Sequence, residues 1–248
     1  MPYAPVSGTR IYYDETGPSG GRPLLLLHAS LQTAESMAPL RELLAPLGLR
    51  IVIPDQRGHG RTANPGRTLA IGQLADDMEA LMAHLGVGQP LLAGFSLGAT
   101  VGIELARRGH LSGLVVLAGR IHTAPRGRKA FDPADIRQRS PLWVKQLEAK
   151  HVEIPWDELA VELGTMFEVP WPGFSAADLA SIACPTLVVQ GDRDLMVPVE
   201  QGRELAASVQ HGEFRLAPRA GHPDLLYRQE TKDAVRDFFS AQLARPPM

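Results

Sequence analysis

Short apolar runs recur along the 248-residue chain, and each is followed by turn-forming or small polar residues. The runs are roughly four to six residues long and rich in Leu, Val and Ile, which is typical of strands buried on both faces of a parallel sheet. They begin at Leu24, Leu49, Pro90, Gly113, Pro185 and Glu213. The segment "TRIYYDETG", residues 9–17, alternates polar and apolar side chains and predicts an antiparallel edge strand.

Helical patterns lie between these runs. Apolar residues from 71 to 85 recur at intervals of three and four, which predicts an amphipathic helix that Gly86 ends. A similar stripe lies near the carboxyl end, at Val235, Phe238, Phe239 and Leu243. Because strands and helices alternate, the sequence predicts an α/β fold with a mostly parallel sheet flanked by helices.

One connection is too long for this alternation. After the sixth strand, residues 120–181 form an insert that contains all 3 tryptophans of the chain. We expect residues 1–119 and 182–248 to form the core. The insert is expected to form a small satellite core and, in addition, a helical cap over the carboxyl edge of the sheet, where α/β proteins bind ligands. The residues proposed to line a substrate pocket there are His28, Trp143, Trp156, Phe167 and Trp171.

Composition narrows the range of functions. The formal net charge of −2 gives no electrostatic footprint for nucleic acid, and the apolar runs are too short for a membrane span. The first ten residues lack the pattern of a signal peptide, and the 1 cysteine cannot form an internal disulfide. We therefore expect a cytoplasmic protein that acts on a small molecule.

The stretch "LLAGFSLGAT", residues 91–100, combines a buried strand with a serine between two glycines. In the pattern Gly94-Phe95-Ser96-Leu97-Gly98, a sharp strand-to-helix turn would expose the serine hydroxyl, and large side chains at the flanks would collide. The backbone N–H of Leu97, at the start of the helix, would then point to where an oxyanion forms. The sequence therefore indicates Ser96 as a nucleophile.

A serine nucleophile requires a base and a group that orients the base. Of the 8 histidines, His222 is the one that follows a late strand, lies in the small-residue turn "RAGHPD" and precedes the last helix. The acid is expected in the loop "GDRDLMVP" after the strand that begins at Pro185, where Asp192 and Asp194 compete.

The chain resembles the α/β-hydrolase superfamily in five segments: "LLLLHAS", "PDQRGHGRT", "GFSLGA", "GDRDLMVP" and "AGH". They occur in that family's Ser, Asp, His order. The resemblance implies Asp194 as the acid and a loop-stabilising role for Asp192. It also implies the N–H of Ser30 as the second oxyanion donor beside Leu97, and no cofactor or metal.

The chain departs from the family at one position. The family usually has His-Gly where this chain has His28-Ala29, which affects the loop that carries Ser30.

The segment "DQRGHG" could be interpreted as a phosphate loop or a metal site. It lacks the Lys-Ser/Thr of a phosphate loop and a metal-ligand spacing, so we predict a structural turn fixed by Arg57 and two glycines.

The function expected from these residues is a serine hydrolase acting on an ester or lactone through an acyl-enzyme. The alternatives are a non-hydrolytic cyclase, lyase or receptor on the same fold, a cofactor-free haloperoxidase-like perhydrolase, a carbon–carbon bond hydrolase, and a thioesterase. The run "HASLQTAESM" is similar to 3-oxoadipate enol-lactonases. The basic run "RGRK", residues 126–129, suggests contact with an acidic substrate or a solvated face.

Overall fold

A computed structural model describes residues 2–6, 8–122, 127–168 and 171–244. Within them, eight strands form one sheet in the order β1-β2-β4-β3-β5-β6-β7-β8. β3 to β8 are parallel to one another, and β1 and β2 are antiparallel to their neighbours. The strands are β1 (Tyr3–Val6), β2 (Thr9–Thr16), β3 (Pro23–Leu27), β4 (Arg50–Pro54), β5 (Leu91–Phe95), β6 (Gly113–Leu117), β7 (Thr186–Gly191) and β8 (Gly212–Ala217).

Helices cover both faces of the sheet. The described residues contain α1 (Ala38–Leu44), α2 (Ile71–His84), α3 (Leu97–Arg107), α4 (Gly127–Ala130), α5 (Pro133–Arg139), α6 (Pro141–Lys150), α7 (Trp156–Glu168), α8 (Ala176–Ala180), α9 (Val199–Ser208) and α10 (Gln229–Leu243). None of these helices has the length and apolar content needed to cross a membrane. The sequence and the structure agree on an α/β-hydrolase fold.

Two apolar cores result from the alternation of side chains along the strands. Leu25 and Leu27 of β3 point to the face covered by α2, α3 and α9. Leu24 and Leu26 point to the opposite face, covered by α1 and α10. The central strands β3, β5 and β6 therefore contain no polar side chain, as their sequence pattern predicts.

The two ends of the sheet differ from the sequence predictions. β2 is not the edge strand, because β1 pairs with its outer side and occupies the edge. At the other end, β8 was predicted as a buried strand, but it is the opposite edge and most of its residues are exposed. Short runs of apolar residues thus do not separate an edge strand from a central one.

Between β6 and β7 the described residues form only helices, α4 to α8. Apolar side chains of this insert, among them Leu159 and Leu163, join the core on the α2–α3 face rather than a separate cluster. The insert also contacts loops at the carboxyl edge of the sheet. The N–H groups of Val152 and Glu153 donate to the carbonyl of Gly60, which lies in the loop after β4.

Candidate active site

Ser96 lies at the junction between β5 and α3 in a backbone conformation that residues other than glycine rarely adopt. Its φ is 53° and its ψ is −112°. Such angles are strained for L-residues and cluster at functional sites. The Ser96 N–H donates to the Leu117 carbonyl of the neighbouring strand at 2.9 Å, and the side chain is half-buried. The serine therefore sits at the carboxyl edge of the sheet, as predicted.

The glycines on either side of Ser96 are needed because two backbone segments approach each other closely. A Cβ on Gly98 would overlap the carbonyl groups of Leu27 and His28, and a Cβ on Gly94 would overlap the Gly98 carbonyl. The Gly98 N–H donates to the His28 carbonyl at 3.1 Å. The predicted steric reason for the glycines is confirmed.

We expect Gly98→Ala to lower the free energy of unfolding by about 3 kcal/mol, because the overlapping atoms belong to the backbone and cannot rotate away. Gly88→Ala is the matched control, since nothing lies within 4 Å of a Cβ at that glycine. Its effect should stay within about 0.5 kcal/mol. Urea unfolding followed by circular dichroism measures both. Equal effects of the two substitutions would contradict the steric argument.

Three side chains from distant parts of the sequence form a hydrogen-bonded chain. His222 Nε2 lies 3.0 Å from Ser96 Oγ, and His222 Nδ1 lies 2.7 Å from Asp194 Oδ2. The His222 ring also packs against Phe95, with the ring centroids 5.1 Å apart. The His222 side chain is 9% exposed and that of Asp194 is 0% exposed. A histidine held in this way can take a proton from the serine hydroxyl.

Asp194 is held by four hydrogen bonds. Its Oδ1 accepts the N–H groups of Met196 and Val197 at 2.8 and 2.9 Å. Its Oδ2 accepts Gln190 Nε2 at 3.0 Å in addition to His222. Burial by itself raises the pKa of Asp194, but the hydrogen bond and charge of His222, together with the N–H groups of Val197 and Met196, hold the pKa below its ordinary value. The group is therefore a carboxylate at neutral pH.

The structure brings Asp194 to His222 and leaves Asp192 outside the chain of hydrogen bonds. The Asp192 side chain is exposed and makes no hydrogen bond to any residue of the described ranges. A loop-stabilising role for the Asp192 side chain is therefore wrong. The acid loop is stabilised instead by the N–H groups of Met196 and Val197, which donate to the Asp194 carboxylate.

The two predicted oxyanion donors lie on neighbouring loops. Leu97 is the first residue of α3, and Ser30 follows β3, which pairs directly with β5. The bond from Gly98 N–H to the His28 carbonyl connects the two loops. Neither the Leu97 N–H nor the Ser30 N–H has an acceptor among the described residues, so both can donate to a substrate oxygen.

Alanine at position 29 is compatible with this loop. Ala29 is buried and does not have a positive φ. The left-handed residue of the loop is Leu31, with a φ of 57°. Glycine is therefore not required at position 29 by the backbone, and the departure from the family pattern does not strain the loop.

Two of the five predicted pocket residues offer no surface to a substrate. His28 is 0% exposed and Trp156 is 3% exposed. The His28 ring accepts the Gln56 N–H at 3.0 Å, and Trp156 packs into the apolar core with Arg137 over its ring. Both side chains support the fold, so their assignment to the pocket is corrected.

The other three, Trp143, Phe167 and Trp171, are partly exposed. Phe167 stacks on Phe131 with the centroids 5.3 Å apart, and Trp171 meets Phe174 edge to face at 5.1 Å. Their role in substrate binding stays a prediction.

The segment "DQRGHG" forms a structural turn, as predicted. Arg57 donates to both carboxylate oxygens of Asp77, at 2.7 and 2.5 Å, and both side chains are buried. Gly58 and Gly60 have φ values of 79° and 55°. Across the described part of the chain, no group of three His, Cys, Asp or Glu residues is arranged to hold a metal ion.

Three histidines lie buried beside this turn. The ring centroids of His28 and His59 are 5.0 Å apart, and those of His59 and His151 are 6.1 Å apart. Burial lowers the pKa of His28 to about 4 and lowers those of His59 and His151. His151, which follows α6, accepts the Gly60 N–H at 3.1 Å and lies 3.3 Å from the Leu31 carbonyl. These contacts fit a neutral ring.

We expect the stability of the protein to fall as the pH decreases from about 6.5 to about 4. The pKa of His28 is lower in the folded than in the unfolded chain, so the unfolded chain binds more protons in this window. Its contribution is fully present above pH 6.5 and lost toward pH 4, about 3 kcal/mol in all.

Urea unfolding at several pH values measures this loss. His28→Gln should flatten the pH dependence, by about 1 kcal/mol per pH unit, while a His84→Gln control at an exposed histidine should run parallel to wild type. Stability that stays constant from pH 6.5 to 4 would overturn the prediction.

Two residues near Asp194 were not singled out in the sequence. Gln190, at the end of β7, donates its Nε2 to Asp194 and to the Val197 carbonyl at 2.8 Å. Arg120 follows β6 and donates to the Met196 carbonyl at 2.9 Å. Both are polar residues at the end of an apolar run that forms a strand. This position in the sequence could have identified them as candidates for the site.

The family model of the alpha/beta hydrolase family matches residues 24–238. The chain belongs to the alpha/beta hydrolase family. The match spans β3 to α10 and therefore includes Ser96, Asp194 and His222. The family model thus shows the family, and the topology of the sheet agrees with its fold.

This α/β hydrolase is similar to proteins of several activities. A non-heme haloperoxidase of Rhodococcus erythropolis is 26% identical over 94% of this chain and 97% of its own. A thermophilic esterase of Thermogutta terrifontis has a TM-score of 0.78 at 24% identity, covering 97% and 98% of the two chains. The enol-lactonase of Burkholderia xenovorans LB400 has a TM-score of 0.76 at 23% identity, covering 98% and 100%. The solved structures share the fold of this chain.

Proposed function

We propose that this protein is a serine hydrolase that cleaves a carboxylic ester or lactone through an acyl-enzyme. One observation carries the proposal: the hydrogen-bonded chain from Ser96 Oγ through His222 to Asp194, with distances of 3.0 and 2.7 Å. Serine, histidine and a carboxylate arranged in this way recur in hydrolases of unrelated folds, because the histidine takes the serine proton and the carboxylate orients and stabilises the histidine.

In the first half of the reaction, Ser96 Oγ attacks the carbonyl carbon while His222 Nε2 takes the hydroxyl proton. Asp194 keeps the proton of the neutral ring on Nδ1, so that Nε2 is free to accept. It also stabilises the imidazolium that forms. His222 then gives the proton to the leaving oxygen, and the acyl group stays on Ser96.

In the second half, His222 removes a proton from the water that attacks the acyl carbon, and then returns this proton to Ser96 Oγ as the acid is released. Both halves pass through a tetrahedral oxyanion, which the N–H groups of Leu97 and Ser30 are proposed to bind. Such a donor is typically worth roughly 3 kcal/mol of transition-state stabilisation. The proposed chemistry uses a small-molecule substrate and water, and requires no cofactor.

A second candidate is perhydrolysis, which the similarity to a non-heme haloperoxidase favours. In that reaction hydrogen peroxide replaces water as the nucleophile on the acyl-enzyme, and the product is a peroxy acid. The same three residues would carry both reactions, since they differ only in the second nucleophile.

Hydrolysis of p-nitrophenyl esters from acetate to octanoate, and of simple lactones, tests the proposal. We expect turnover of at least one ester, and covalent labelling by a fluorophosphonate that mass spectrometry maps to the peptide containing Ser96. Adding peroxide and following bromide oxidation tests perhydrolysis in the same experiment. A protein that is labelled at Ser96 but turns over no ester or lactone would overturn the hydrolase proposal in favour of a non-hydrolytic role.

A further inference from the structure

The cationic side chain of Arg120 lies near Asp194 and is not part of the hydrogen-bonded chain. Ser96 follows β5, Arg120 follows β6 and Asp194 follows β7, and these three strands are adjacent in the sheet. The carboxyl ends of parallel strands meet at one edge, which is where α/β folds bind their ligands. Arg120 therefore stands between the strands that supply the nucleophile and the acid.

Hydrogen bonds fix the backbone of Arg120 relative to Ser96. The Thr100 N–H donates to the Ser96 carbonyl at 3.0 Å, and the Arg120 N–H donates to Thr100 Oγ1 at 3.1 Å. The side chain extends toward the acid loop and the insert. Its Nη2 donates to the Met196 carbonyl at 2.9 Å, and its guanidinium carbon lies 5.6 Å from the ring centroid of Phe167.

The guanidinium lacks the partner that such a group usually has when it is half-buried. No carboxylate of the described residues is within ion-pair distance of Arg120, whereas the neighbouring His122 pairs with Glu204 at 2.9 Å. Burial lowers the pKa of Arg120, and the nearby charge of Asp194 offsets that effect only in part. Asp194 itself is engaged by His222 and the backbone, so it does not neutralise the arginine directly.

We propose that Arg120 binds a carboxylate of the substrate, so that the ester or lactone cleaved here carries a free acid group in addition to the scissile bond. Arginine suits this role because its planar guanidinium offers several N–H donors in a geometry that matches a carboxylate. Phe167, from α7, lies against one side of the guanidinium. This inference rests on the proposed function and names the substrate class of the same site.

Matched pairs of esters test the inference. The monomethyl esters of succinic, glutaric and adipic acid are compared with methyl butanoate, pentanoate and hexanoate by pH-stat titration at pH 7.5. We expect wild type to favour at least one half-ester over its neutral partner in kcat/KM by about 10-fold or more, the effect typical of one charge-assisted hydrogen-bonded pair. Arg120→Gln should lower this ratio at least tenfold, mainly through KM, and Arg120→Lys should restore part of it.

Arg203→Gln is the matched control, because Arg203 also lies over a phenylalanine, Phe214 at 4.6 Å, but on α9 beside the edge strand. Its ratio should equal that of wild type. An equal loss on charged and neutral esters in Arg120→Gln would show a packing role and overturn the inference. The inference would also be overturned if wild type cleaved the neutral esters with the same kcat/KM as the half-esters. The proposed hydrolase function would then still stand. If neither class is cleaved while p-nitrophenyl esters or lactones are, this inference fails and the proposed function stands. If no ester or lactone is cleaved at all, both fail.

Discussion

Ser96→Ala is expected to reduce kcat for ester hydrolysis by roughly five to six orders of magnitude. The hydroxyl that this substitution removes lies 3.0 Å from His222 Nε2, so no acyl-enzyme can form without it. What remains is the binding of substrate beside the Leu97 and Ser30 N–H groups, which leaves a small residual rate above that in water. Alanine has to adopt the same strained φ of 53°, so the backbone geometry of the site is retained.

The measurement is p-nitrophenyl ester turnover, with melting temperatures to confirm that each variant is folded. Ser240→Ala provides the control, since Ser240 is exposed on α10 and donates to the Arg236 carbonyl. We expect this variant to keep wild-type kcat. If Ser96→Ala were to retain activity within tenfold of wild type, Ser96 would not be the nucleophile.

Asp194→Asn is expected to lower kcat by about 10⁴-fold while leaving the fold intact. Because Oδ1 accepts two backbone N–H groups, from Met196 and Val197, the amide oxygen of an asparagine would occupy that position. The amide NH₂ would then face His222 Nδ1 and turn that nitrogen into an acceptor. The ring proton would move to Nε2, which could no longer take the proton of Ser96.

Asp192→Asn tests the same chemical change two residues away. Asp192 is exposed and outside the chain of hydrogen bonds. The kcat of Asp192→Asn should therefore stay within about twofold of wild type, because substitutions of exposed residues away from buried hydrogen bonds have small effects. A larger loss in Asp192→Asn than in Asp194→Asn would mean that the acid has been assigned to the wrong aspartate. Both variants are compared on the ester that wild type cleaves fastest.

The parts of the site that were predictable from the sequence are those whose geometry is local. Gly94 and Gly98 flank Ser96 within one turn, so the five-residue sequence is enough to predict that the turn needs small residues on both sides of the serine. His222 was identifiable because it follows the last strand run. In contrast, the choice between Asp192 and Asp194 depends on how the loop folds over itself, and residue types alone left both open.

Other features depend on packing between distant segments. Trp156 and Phe167 belong to the same helix, α7, yet the first is buried in the core and the second meets Arg120. Apolar composition cannot separate those roles, because both are aromatic residues in one amphipathic helix. The places of β1 and β8 at the two edges likewise follow from strand order, which the linear pattern does not specify.

The order of the site residues along the chain also determines when the site is complete during synthesis. Ser96 and the turn that exposes it are built from the first half of the chain, but His222 lies 126 residues later, after β8. A nascent chain that has folded only as far as β6 contains Ser96 without its proposed base, His222. Under the proposed mechanism, we therefore expect a partly synthesised chain to lack hydrolase activity until β8 and the loop after it have been added.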